Sequence, residues 1–457
     1  MNRFTMSGRL CPKGWFVLPI VAAAALGFCG TVTAAPAAHA SPTRHYVDCG
    51  ATGGTGDGSA SSPWSTLAAV NERTFEPGDV LAFAAGSTCK GTLSPRGSGS
   101  ATAPITVTRY GTGSLPVIDG NGAADALTLT DQDHWTIRDI EVINPGTQDN
   151  ITARTGIHVT ADDGAAHHGI HITHVAVDRT AGSGVKSTGG TYSAGIEFGC
   201  TGDNTTINDS DVTDSTISDT GGGGIKLRVG SSPTVTAPHG RHVKATHNTL
   251  KDVGGDGIII EFAVSPLIEH NTADRLGYGA YPWTGGNFAG MWFATDIGTS
   301  VAQYNTVRNS KITYDSEGFD CDGGMVGTCL IQHNRTVNNN GLFLDCNGCF
   351  DGGKARDVVR YNVAINDCNV HIAESSSSPN AVYGNVFYCP GRKASFYQPG
   401  ATDATVDFEH NVVVAAPGST MPSGPVFTYR DNIWKGVTPP PAGDAVSSPG
   451  VTPAERH

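Results

Sequence analysis

His247-Asn248-Thr249, His270-Asn271-Thr272, Tyr304-Asn305-Thr306, His333-Asn334-Arg335, Tyr361-Asn362-Val363, Gly384-Asn385-Val386, His410-Asn411-Val412 and Asp431-Asn432-Ile433 form one series, and its reading decides the fold. Successive asparagines are separated by 23, 34, 29, 28, 23, 26 and 21 residues, a single period of variable length. Helical repeats of that period need two amphipathic stretches of about 10 residues or more per unit. These intervals hold glycine clusters and short alternating runs instead, so each is a coil of short strands. Asparagine favours turns because it tolerates left-handed backbone and bonds locally. Repeated at one place in consecutive coils, its amides also stack into a hydrogen-bonded ladder. Residues 135–142, 170–177 and 206–212 read as earlier coils that lack the asparagine.

The ends of the chain differ from its middle. Residues 1–40 read as a secretory signal: Arg3, Arg9 and Lys13 form a basic start, an apolar stretch runs from Trp15 to Phe28, and Ala38-His39-Ala40 offers small residues for cleavage. Pro19 interrupts the run and no basic flank follows it, which speaks against a membrane anchor. The mature chain is expected to be secreted, extracellular and free of the membrane. Residues 438–457, rich in Pro, Ala, Gly and Ser, read as a flexible tail, leaving 41–437 as the coil domain.

Glycine accounts for 60 of 457 residues and only 16% of residues are charged, the composition of a chain built from turns. The leader carries three of the 29 basic residues and no acid, so 26 Lys+Arg face 42 Asp+Glu in the remainder. Nucleic acid is therefore not an expected partner, because a phosphate backbone is met by a basic face. Of 11 cysteines, Cys11 and Cys29 fall in the leader; Cys49, Cys89, Cys200, Cys321, Cys329, Cys346, Cys349, Cys368 and Cys389 remain, mostly paired in an oxidising compartment. Cys346-Asn347-Gly348-Cys349 has CxxC spacing but no second such pair at zinc-ribbon distance, so it reads as a staple and not as a metal site. Residues 61–70 read as a short helix with Pro63 just inside its start, covering the open end of the coil stack.

The segment from Ser62-Pro63-Trp64, through Pro77-Gly78-Asp79, to Pro104-Ile105-Thr106-Val107-Thr108-Arg109-Tyr110-Gly111 resembles the amino-terminal cap and first coils of the extracellular pectate-lyase-like right-handed parallel β-helix superfamily. With the coils behind it, the resemblance covers residues 45–435. It implies an all-β, single-stranded right-handed parallel β-helix (a β-solenoid) with a short N-terminal capping helix, acting as a monomer on a polysaccharide. The superfamily holds lyases, hydrolases, epimerases and adhesins, so the resemblance fixes no reaction.

A second short strand, usually opened by glycine, follows the asparagine corners. The series is Gly195-Ile196-Glu197-Phe198-Gly199, Gly224-Ile225-Lys226-Leu227-Arg228, Gly257-Ile258-Ile259-Ile260-Glu261, Gly290-Met291-Trp292-Phe293-Ala294, Gly318-Phe319-Asp320-Cys321-Asp322, Gly341-Leu342-Phe343-Leu344-Asp345 and, more loosely, Asn369-Val370-His371-Ile372-Ala373. The first and third residues after each opening are apolar or Cys, so alternation turns them inward. Glu197, Lys226, Arg228, Ile259, Glu261, Trp292, Asp320, Asp322, Phe343, Asp345 and His371 are then expected to face outward. A lone Glu197 is a solvated surface acid. Aspartate is depleted in strands, however, and like charges stacked on neighbouring strands repel, so Asp320, Asp322 and Asp345 point to function.

Rungs about 4.8 Å apart place Asp322 and Asp345 near the carboxylate spacing of a retaining glycosidase, and Glu261 and Asp322 near that of an inverting one. The leading expectation is a glycoside hydrolase with Asp322 and Asp345 as the core pair, Glu261 and Asp320 assisting, and no cofactor. Trp292, with Tyr281 and Trp283 in the longest interval beside Tyr278 and Phe288, would wall a sugar cleft, unless that loop packs its aromatics on the coil. Lys226, Arg228 and His371 complete the expected substrate contacts, the two cations suiting an acidic or sulfated sugar. The alternative is a lyase or epimerase on a uronate polymer, with Ca²⁺ on Asp320, Asp322 and Asp345 and with Arg228 or Lys226 as base. Against it, those cations lie two rungs or more from the main acid group. The paired adjacent aspartates and Gly-His-Gly of polygalacturonases have no match, which disfavours a pectin hydrolase. A non-catalytic carbohydrate-binding solenoid would show aromatics and amides without convergent acids. His167, His168, His171 and His174 cluster in sequence, but His171 and His174 have opposite strand parity, so they read as surface histidines and not as one metal site.

Overall fold

The strands on either side of each asparagine corner do not pair with each other; their backbone groups are satisfied by the coils above and below. In the computed structural model, Leu267–Glu269 is followed by the corner His270-Asn271, then by Thr272–Asp274, and Met291–Ala294 completes the coil. Each pairs in parallel with its counterpart one coil later: Leu267 with Val301, Thr272 with Thr306, and Met291 with Phe319. Repetition builds three long parallel sheets, one strand of each per coil. The chain is a right-handed parallel β-helix. The structure describes residues 42–438 except 150, 187–192, 233–235, 285–286, 314, 347–354, 373–378, 398–404 and 423–426, together with 445–446. They belong to the unit Pro42–His457; the expected leader lies outside them.

The corner divides its work between two residues. The residue before the asparagine takes the left-handed conformation, with φ of 58° at His247, 56° at His270, 55° at Tyr304, 54° at His333 and 55° at Tyr361. The asparagine turns inward and is buried. Asn334 Nδ2 donates to Ala302 O at 2.9 Å and to Asn362 Oδ1 at 3.1 Å, while its Oδ1 accepts from Asn305 N at 2.9 Å and Asn305 Nδ2 at 3.1 Å. The same contacts link Asn248 through to Asn432. Upstream, Ser215 holds the place: its Oγ accepts from Val175 N at 3.3 Å, and its N donates to Asn248 Oδ1 at 3.1 Å. A hydroxyl caps the ladder there, which is why the earlier coils do not carry the asparagine signature.

Inward side chains form one apolar cluster running from Val47 to Val437. Of residues 61–70, only the end is helical: the helix is Leu67–Asn71, with Thr66 Oγ1 accepting from Ala69 N at 3.3 Å, so Pro63 precedes the helix instead of opening it. Leu67 and Val70 join the core. The expected strandless tail is corrected at Ala445–Val446, which pairs with Ile433 and Trp434. Among the described residues the disulfides are Cys49–Cys89, Cys321–Cys329 and Cys368–Cys389, and Cys200 is a buried free thiol. The expected CxxC staple involves Cys349, outside the described residues. No helix among the described residues is long and apolar enough to cross a membrane.

Candidate active site

Glycine opens the third-sheet strands because backbone from the next coil passes too close for a side chain. A Cβ on Gly257 would lie 2.1 Å from Gly290 O, and one on Gly290 would lie 2.2 Å from Gly318 O. These contacts set the register. Glu197, Lys226, Ile259, Trp292 and Asp320 form one outward column, and Gly199, Arg228, Glu261, Ala294 and Asp322 form the next.

The register breaks at the following rung. Phe319 N donates to Leu342 O at 3.0 Å, as Met291 N donates to Gly318 O, so Leu342 occupies the place that glycine holds elsewhere. Leu342 is fully buried, a demand that glycine never makes. The strand slides by one residue, pairing Phe319 with Phe343, Cys321 with Asp345 and Asp322 with Cys346. Such a slip moves every side chain to the opposite face. Asp345 and Phe343 therefore point into the coil, both fully buried, and the expected Asp322–Asp345 pair on the outer face does not exist. Inside, Asp345 lies against Asp357, whose carboxyl is pushed well above the usual range by burial and by Asp345. His371 pairs with Leu344 and faces outward as expected.

The first outward column is covered, not open, while Arg228, Glu261 and Asp322 of the second are half-buried. Glu197, Lys226, Trp292 and Asp320 are each at most 6% exposed. The longest interval folds back over the sheet: Trp283 N donates to Gly254 O at 3.0 Å, and Thr284 N to Gly184 O at 2.8 Å. The Trp283 ring lies so close to Gly255 that a Cβ there would sit 2.7 Å from it. Trp283 and Phe288 join the core, so the loop packs its aromatics, and the expected open stacking wall of Trp283 and Trp292 is corrected. Tyr281 is half-buried at the edge of this loop, and its carbonyl oxygen would lie 2.2 Å from a Cβ on Gly254.

Under this cover lies a cluster that the alternation of strands does not reveal. Lys186 Nζ sits 3.2 Å from Asp256 Oδ2, 4.9 Å from the Trp292 ring centre and 5.7 Å from that of Trp283. Asp256 is fully buried and accepts from Trp292 Nε1 and from Ala289 N, each at 3.0 Å. Asp315, Glu317, Asp320 and Asp322 gather around this ion pair. Burial pushes the Asp322 carboxyl up to about 7, with Lys186 opposing and Asp315, Asp345 and Asp256 adding to the rise. Asp320 is held well above the usual carboxylate range by burial and then by Asp322, and its Oδ1 is buried without a hydrogen-bond partner. Burial also lifts Glu317 to about 7; it accepts from Asn340 Nδ2 at 3.1 Å, and His371 Nδ1 lies 3.8 Å away. Burial raises Asp315 too, but it keeps partial access to solvent. Asp315 and Lys186 lie on loops, where strand parity has no say; the Asp315-Ser316-Glu317 run just before Gly318 was the only sequence hint.

The remaining predicted residues form a separate group. Lys226 Nζ is 3.5 Å from Glu261 Oε2, and Arg228 lies 4.9 Å over the Phe262 ring. Burial raises Glu197 to about 7 against the pull of Lys226 and His158. Glu261 is two rungs from Asp322, and Lys226 is three from Asp320 along the column through Ile259 and Trp292.

A lacto-N-biosidase of family GH136 from Eubacterium ramulus is similar in structure, with a TM-score of 0.65 at 21% identity over 82% of this chain and 68% of that one for its selenomethionine derivative. The native form gives 0.61 at 19% identity with the same coverage. The shared fold is the parallel β-helix. A rhamnogalacturonan lyase shares it with a TM-score of 0.50 at 12% identity, over 81% of this chain and 87% of that one. At these identities the likeness is one of fold. No protein-family profile and no curated protein matches the chain.

Proposed function

We propose that this chain is a secreted carbohydrate-active enzyme, and specifically a glycoside hydrolase whose acid is Asp322. The observation that carries the reading is a carboxyl at the outer edge of the third sheet raised to about 7, beside other acids and a fixed Lys186 ammonium. Such a group holds its proton in a substantial fraction of molecules at neutral pH and is poised to give it to a glycosidic oxygen. Asp315, which like Asp322 keeps partial access to solvent and has an amide donor in Asn287, suits the carboxylate role of base or nucleophile. Asp320, held protonated, suits a hydrogen-bond donor to the sugar. Glu261, about 10 Å along the stack from Asp322, lies toward a neighbouring subsite.

Lys186 and Lys226 each face a carboxylate, so an acid-rich face with its lysines already engaged favours a neutral over a polyanionic sugar. The same pairing weakens the lyase alternative. Asp256 holds the Lys186 ammonium above its ordinary value against the effect of burial, which makes Lys186 a poor base. The fold shared with a GH136 lacto-N-biosidase and the disulfides support the hydrolytic, extracellular reading at the level of fold and compartment.

The test is turnover of a panel of neutral and acidic oligo- and polysaccharides by the wild type, Asp322→Asn and Asp315→Asn. Each substitution is expected to lower kcat by about 10²–10⁴-fold without lowering the unfolding midpoint. Unchanged turnover in Asp322→Asn would remove the assignment.

A further inference from the structure

On the first rungs of the third sheet the chain leaves the coil and returns. Asp131 follows Asp125–Thr130 in a left-handed conformation with φ of 51°, and Asp162-Asp163 follow Thr155–Ala161 on the adjoining rung. The excursion then forms a short strand, Ala166–His168, which pairs with Thr206–Asn208 and carries His167 back toward both turns. His167 is only 4% exposed.

We propose that Asp131, Asp163 and His167 bind one divalent transition cation of the Zn²⁺ or Mn²⁺ kind. His167 Nε2 lies 3.1 Å from Asp163 Oδ1 and 3.8 Å from Asp131 Oδ1, and the three donor atoms all lie within 4.8 Å of one another. Metal bonds of about 2.0–2.2 Å require donor separations of about 3.0–4.4 Å, so small movements accommodate an ion. The second observation is on the other side of the ring. Nδ1 is buried without a hydrogen-bond partner, and Asp133 Oδ2 stands 3.5 Å from it. A ligating histidine characteristically turns its second nitrogen to a carboxylate, which fixes the tautomer and ring orientation; Asp133 is placed for that role.

Backbone donors hold all three carboxylates. Asp162 N donates to Asp131 Oδ1 at 2.8 Å, Ala165 N to Asp163 Oδ1 at 2.8 Å, and His168 N to Asp133 Oδ1 at 2.7 Å. An imidazole among the donors favours a transition ion over Ca²⁺, which prefers an all-oxygen shell. The site stands five to six rungs from Asp322, about 24–29 Å, so its effect is to clamp the excursion to the coil and not to serve the acidic cluster. The neighbouring histidines are engaged elsewhere: His168 Nδ1 lies 2.8 Å from Asp209, and His171 Nδ1 3.2 Å from Asp211.

The experiment strips tag-free protein with chelator and titrates it with Zn²⁺ by calorimetry and with Co²⁺ by visible absorption, for the wild type, Asp163→Asn, Asp133→Asn and Asp322→Asn. The expected result is saturable uptake of a single equivalent with a rise in Tm. Asp163→Asn and Asp133→Asn should weaken binding by about 10–100-fold, and Asp322→Asn should leave it unchanged. The Asp163 side chain is 43% exposed, so its substitution is not expected to unfold the protein. Absence of saturable binding, equal affinity in Asp163→Asn, or loss of binding in Asp322→Asn would each overturn the proposal.

Discussion

Asn334→Ala tests the coil-to-coil ladder that sets the architecture. The substitution deletes four hydrogen bonds in a site where Asn334 itself is only 2% exposed: Ala302 O loses its amide donor and Asn305 N its acceptor, while Asn305 Nδ2 keeps only Ile268 O and Asn362 Oδ1 keeps only the backbone N of residue 334. A net contribution of about 1 kcal/mol per bond gives a loss of about 4 kcal/mol, with about 3–5 kcal/mol as the working range. Asn334→Asp sharpens the argument: it keeps an acceptor for Asn305 but loses both donors and sets a charge against Ala302 O and Asn362 Oδ1. It should be worse than alanine at pH 7 and recover at pH 4, where the acid becomes a donor. Urea unfolding gives the magnitude, and amide exchange locates it, with loss of protection expected first at Asn305. A loss below about 1 kcal/mol, or equal stability of the aspartate variant at both pH values, would show that the ladder accompanies the fold without holding it together.

Glu197, Glu317, Asp322 and Asp367 are all raised to about 7 when folded, so the folded state retains protons that the unfolded chain has released. Stability from these groups is complete below about pH 4 and is lost as pH rises through about 7, on the order of 3 kcal/mol for one such carboxyl; unfolding midpoints compared at pH 5 and pH 8 check the sign. Lys186→Met leaves Asp256 buried without its cation, at a cost of about 3–5 kcal/mol. It should also move the fall in kcat with rising pH to a higher pH, because Lys186 opposes the rise of Asp322. Asp345→Asn replaces an acid sealed inside the coil; turnover should largely survive while stability at pH 8 increases, measured by kcat and urea midpoint together.

How much the sequence revealed follows from what each residue's signal depends on. Asn248 to Asn432 announced the coil because the ladder repeats a side chain at a fixed place, and Gly257 and Gly290 announced the third sheet because backbone contact forbids anything larger. Parity then put Glu261, Asp320 and Asp322 on the correct face. It failed at Asp345, since Gly341 looks like the other openings while the buried side chain of Leu342 takes the opening position, and pattern alone does not show which of two neighbours sits at the corner. Asp315 and Lys186 were hidden for a different reason: each reaches the site from a loop, through contacts such as Thr284 with Gly184 that cross 100 residues of chain. The histidine cluster was misread as surface: strand parity set His171 against His174, but the fold buries His167 and brings it against the turns at Asp131 and Asp163.

Hydrolysis assisted by Asp322 is tested most directly by cleaving a substrate of the wild-type enzyme in ¹⁸O-enriched water and weighing the products. The expected result is one labelled oxygen at each new reducing end, none at the new non-reducing end, and no unsaturated product. Unlabelled fragments bearing an unsaturated terminal sugar would contradict it and identify elimination as the chemistry of this face.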